Sequence, residues 1–170
     1  MDRQRLEDGL ARLPIYQYAF IRTDALVFSD RVRQICRTQC PRYDRTWACP
    51  PAVGTLEACR ARIAAFDEGL VIATAWEASA DISQARAGHE AVTRQALEAV
   101  RAQAGRAMAL SAQSCDRCAQ CTWPDAPCRH PDDLLPCVES HGILVTDLAE
   151  RCGIPFQQDG MTMWFSMVLF

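Results

Sequence analysis

Cys115, Cys118 and Cys121 recur at successive two-residue gaps, and Cys128 follows after a gap of six, ahead of Arg129-His130-Pro131. No helical or strand face survives such a stretch. Gln113–Pro136 holds these four cysteines, four prolines and no apolar period, which predicts an irregular loop. Three thiolates at this spacing let a tight loop wrap a compact metal centre, with backbone amides pointing at its sulfurs, as in the loops of bacterial ferredoxins. The last gap is longer than the ferredoxin one, so the partner that a ferredoxin gives its fourth cysteine does not carry over to Cys128. A structural zinc site also accepts four thiolates, but it more often pairs two separated C-x2-C elements. The uninterrupted run therefore favours iron–sulfur over zinc.

A second group, Cys36-x3-Cys40-x8-Cys49-Pro50-Pro51, opens a loop that runs from Cys40 to Gly54. Three thiols in one irregular segment read as metal ligands before idle loop thiols. Tyr43, Trp47 and Trp123 read as hydrophobic shielding for a centre. The expected cofactor is a 4Fe-4S cluster, one or two per chain, with zinc as the alternative. A fourth ligand for Cys36, Cys40 and Cys49 would come from another residue, from Cys128, or from solvent.

Ten cysteines in 170 residues fall below the ~8–10% of a disulfide scaffold. The charged start Met1–Asp8 is no secretory signal, so a reducing, cytoplasmic setting is expected, where clustered thiols serve metals or redox chemistry. The longest apolar run, Met161–Phe170, contains Thr162 and Ser166 and is shorter than the ~18 residues of a bilayer span. Residues 31–62 carry seven Arg against two acids, a local +5, while residues 114–170 carry three Arg against eight acids, a local −5. A duplex-binding protein shows a broad basic face, so no nucleic-acid partner is expected. The basic stretch coincides with the first cysteine group, where cations offset thiolate charge, although a plain solvated surface explains it equally well. All 18 basic residues are Arg, which nucleotide composition explains better than function.

The chain reads as a single domain, 1–170, of α+β class, with a small mixed sheet, helices and two cysteine-rich loops. Helices are expected at Leu6–Leu13, at Leu56–Phe66 behind the Thr55 cap and before Gly69, and at about His89–Met108. Shorter ones are expected after Ser29 or Asp30, at Leu135–His141 and at Thr146–Arg151. Ile15–Phe28 suggests a strand or a hairpin turning at Thr23-Asp24. Leu70–Trp76 reads as a buried strand and Met161–Phe170 as a central one. Cys59, on an apolar helical face, and Cys152 read as packing thiols. His89 is expected at the surface. His130 and His141 are secondary candidates, as ligands or proton donors beside a centre.

The runs Cys36-x3-Cys40-Pro41-x-Tyr43-x3-Trp47-x-Cys49-Pro50-Pro51 and Cys115-x2-Cys118-x2-Cys121-x6-Cys128-Arg129-x-Pro131, followed by Glu139-x2-Gly142-Ile143, resemble DUF2284. This is a prokaryotic family of predicted metal-binding proteins. The resemblance implies a cysteine-ligated metal centre in redox metabolism, with Cys36, Cys40, Cys49, Cys115, Cys118, Cys121 and Cys128 matching the family pattern. Cys59, Cys137 and Cys152 do not match it, and Cys137 departs from a segment that relatives more usually write Pro-Ser-Met-Glu, which makes it a weaker ligand candidate. Seven matching thiols make one four-thiolate set plus three, which leaves an open or non-thiolate position. Three functions follow as expectations. The first is an electron-transfer or redox accessory protein with a protein redox partner. The second is an enzyme whose open cluster iron binds substrate. The third is a zinc-stabilised interaction module. Oligomeric state is not legible in the sequence.

Overall fold

The computed structural model describes residues 1–170. Its centre is β2 (Glu68–Glu77) paired antiparallel with β4 (Met161–Leu169), in the register Leu70↔Val168 and Thr74↔Trp164. β1 (Gln17–Arg22) adds outside β2, and the short β3 (Met108–Leu110) adds outside β4, giving the order β1-β2-β4-β3. Every strand pairing is antiparallel, where the sequence suggested a mixed sheet. The α+β class stands.

Side chains alternate across the two central strands, so both faces of the sheet are covered. Leu70, Ile72 and Val168 meet α1 (Arg3–Leu10) and α4 (Ile82–Ala104) through Leu6, Leu10, Val92, Ala96 and Val100. Val71, Ala73, Phe165 and Met167 meet Ile63 of α3 (Leu56–Ile63) and Leu148 of α5 (Val145–Arg151). The remaining helix, α2 (Asp30–Gln39), carries Cys36 in its last turns and ends on Cys40, whose N–H donates to the Cys36 carbonyl at 3.3 Å.

Several boundaries differ from the sequence reading. α4 begins seven residues earlier than its apolar stripe suggested, because the Asp81 carboxylate caps Ser83 and Gln84 N–H groups. That start places His89 inside the helix and 1% exposed, not at the surface. The helix also ends at Ala104, so Met108 belongs to β3. Gly69 lies within β2 and stops no helix; a Cβ there would press on Met167 at 3.1 Å. Ile15–Phe28 makes no internal hairpin, since β1 pairs with β2 and Thr23–Ala25 is a 3-10 turn. The helix expected over Leu135–His141 shrinks to a 3-10 turn at Glu139–His141. No helix is long and apolar enough to cross a membrane.

Candidate metal centre

The two irregular loops meet beside the sheet. Arg42 Nη2 donates to the Cys115 carbonyl at 3.1 Å, and Trp47 Nε1 donates to the Ala126 carbonyl at 3.1 Å. The Trp47 and Trp123 rings meet edge to face with centroids 4.7 Å apart. Trp123 Nε1 in turn donates to Asp44 Oδ1 at 2.8 Å. Within the second loop, Thr122 Oγ1 donates to the Pro127 carbonyl at 2.8 Å, and Arg129 Nη1 donates to the Gln120 carbonyl at 3.0 Å. Ion pairs Arg86–Asp116 and Arg117–Asp133 tie its ends to α4 and to the 3-10 turn at Pro131–Asp133. Side chains thus supply the order that a helix or strand ladder would otherwise give.

The cysteines divide between two cavities. One, of about 370 Å3, is lined by Cys115, Cys118, Cys121 and Cys128, with Arg42, Arg45, Arg117, Arg129 and His130 in its wall. The other, of about 360 Å3, is lined by Cys36, Cys40 and Cys49, and also by Cys137, Tyr43, Ser114 and Glu139. Arg42 belongs to both walls. Four guanidinium groups around the first cavity suit the negative charge that four thiolates bring.

Burial works against thiolates here until something positive joins them. It pushes the Cys36 thiol up to about 11, helped by neighbouring Cys40 and Glu139. It likewise raises Cys115, and it raises Cys137 well above the usual thiol range. A metal bound at such sulfurs removes this penalty by displacing the protons. No three Cys, His, Asp or Glu side chains converge tightly enough to hold a single ion. A lone tetrahedral zinc at 2.3 Å from each sulfur would need them within about 3.8 Å of one another. A cluster carries one thiolate on each of several irons, so its ligand sulfurs stand farther apart.

The remaining candidates separate cleanly. Cys59 is fully buried, donates to the Val53 carbonyl at 3.6 Å and lines neither cavity. Cys152 packs against the core cluster around Leu148 and Ile154. His130 joins the four-cysteine cavity, whereas His141 does not. The His141 ring is buried, its Nε2 lies 2.9 Å from Arg62 Nη1, and burial together with Arg62 holds its pKa down to about 3. Cys137 is the lining residue that the family pattern passes over. The available signal was arithmetic, since seven thiols fall one short of two complete sets.

The model of the family described as predicted metal-binding protein (DUF2284) matches residues 19–170. No curated protein and no solved structure matches the chain.

Proposed function

This chain belongs to the DUF2284 family of predicted metal-binding proteins, and on that premise we propose that it is an iron–sulfur protein that binds 4Fe-4S clusters and exchanges electrons with a protein partner. The observation that carries this reading is the sorting of the cysteines into two cavities that share Arg42 as a wall. When bound, such a cluster supplies a one-electron couple whose potential depends on charge, solvent and hydrogen bonds to its sulfurs.

The chain's own residues set those terms. Cys115, Cys118, Cys121 and Cys128 hold the first centre, and Cys36, Cys40 and Cys49 hold the second. Arg42, Arg45, Arg117 and Arg129 offset the charge of the first and raise its affinity for an electron. Trp47 and Trp123 cover the junction of the loops and limit water. Cys49 touches Ser114 next to Cys115, with sulfur and hydroxyl oxygen 3.1 Å apart, which gives the two centres a short protein path between them. The basic and acidic halves of the sequence suit docking to a charged partner, with an on-rate that falls as salt rises.

Paramagnetic resonance of anaerobically purified, reduced protein tests the reading. Two cluster signals are expected. A colourless, silent protein carrying zinc would replace it with the zinc-stabilised interaction module.

A further inference from the structure

Cys36, Cys40 and Cys49 lack a fourth thiolate in the family pattern, yet their cavity has a fourth cysteine in its wall. We infer that Cys137 is the fourth ligand of this second centre, which makes it a closed four-thiolate site. This rests on the metal-binding reading above and adds a residue that the family pattern does not contain.

The other cysteines fall away on position. Cys128 lines the cavity of Cys115, Cys118 and Cys121, so it is already engaged. Cys59 and Cys152 line neither cavity. Cys137 alone among the remaining thiols lines the second.

Its placement is built and not incidental. A parallel bridge to Ser111 fixes the Cys137 backbone just past β3. The Ser111 N–H donates to the Pro136 carbonyl at 2.8 Å, and the Val138 N–H returns to the Ser111 carbonyl at 3.0 Å. The turn after it, Glu139–His141, is clamped to the loop of Cys49 by Arg33 of α2. Arg33 donates to the Ser140 carbonyl at 2.6 Å and to the Gly54 carbonyl at 2.7 Å. One side chain therefore registers Cys137 against both Cys36 and Cys49. The Ser140 N–H also donates to Cys137 Sγ at 3.3 Å, the kind of amide–sulfur bond that stabilises a metal-bound thiolate.

With four thiolates on each centre, neither offers an iron to substrate or solvent. That favours electron transfer over Lewis-acid catalysis by an open iron.

The test is Cys137→Ala beside Cys152→Ala, with iron and labile sulfide per chain, paramagnetic resonance with and without cyanide, and anaerobic iodoacetamide labelling of the unsubstituted holoprotein. In the parent, cyanide leaves both signals unchanged and Cys137 is labelled only after chelation. Cys137→Ala cuts iron and sulfide by about half if each centre is a cubane and removes one signal, whereas Cys152→Ala keeps both. Two clusters with Cys137 freely labelled, or a cyanide-sensitive signal in the parent, overturn the assignment and leave the iron–sulfur reading standing. Zinc without sulfide, with Cys137 still protected until chelation, overturns the cluster reading and leaves the ligand assignment standing. The labelling arm decides even where the alanine variant fails to fold.

Discussion

The Cys49 thiol donates to Ser114 Oγ across 3.1 Å, one residue before Cys115. Ser114 Oγ also lies 3.0 Å from Thr46 Oγ1, and all three side chains are buried. This buried contact joins the two cysteine loops. Ser114→Ala should leave both centres loaded. It should also change the splitting between the two reduced signals, because it removes a hydrogen-bond partner from the sulfur of Cys49. Unchanged spectra and potentials in that variant would remove Ser114 from the account.

The cysteines should fall into two stability classes. Alanine at Cys115, Cys118, Cys121 or Cys128 should lower metal content and melting temperature together, because metal binding supplies folding free energy to a loop with little core of its own. Cys59→Ala should keep the metal and cost roughly 1–2 kcal/mol, the usual range for trimming a buried side chain. Thermal melts with parallel metal analysis separate the two.

The tryptophan clasp should govern oxygen sensitivity. Trp123→Ala removes the edge-to-face contact with Trp47, worth about 0.5–1.5 kcal/mol, and the hydrogen bond to Asp44. Air should then bleach the protein several-fold faster, with Trp123→Phe intermediate. Equal bleaching rates in all three proteins would make the clasp purely structural.

Stability should fall in mild acid, and His89 sets part of the window. Burial lowers its pKa from 6.5 to about 4, with Thr74 Oγ1 at 2.9 Å from Nδ1. Above pH 6.5 both folded and unfolded imidazoles are neutral. Between 6.5 and 4 the unfolded one takes a proton that the folded one refuses, so stability is lost as pH falls, by roughly 3 kcal/mol for this residue. Below about 4 the loss levels off. His141 acts in the same direction. Urea unfolding of His89→Gln from pH 7.5 to 4 should show a shallower decline than the parent, and parallel declines would contradict the burial argument.

The sequence made the elements with strong local signals readable: the Ser29 and Thr55 caps, the apolar stripe of Val92, Ala96 and Val100, and the two central strands. It misplaced those set by a partner. β3 has only three residues and owes its pairing to Met167, Val168 and Leu169 of β4. His89 looks like a surface residue until the Asp81 cap moves the helix start. The spacing of Cys115, Cys118, Cys121 and Cys128 was legible because the four cysteines that line one cavity lie in one loop. Cys137 was not, because it is brought to Cys36 and Cys49 by the bridge to Ser111 and the clamp of Arg33 across three segments.

The most direct measurement of the central claim is chemical: iron, zinc and acid-labile sulfide determined on protein purified without oxygen. The account predicts a brown protein with iron and sulfide in near-equal amounts, in a quantity that fills two clusters and no zinc. Stoichiometric zinc with no labile sulfide would contradict it.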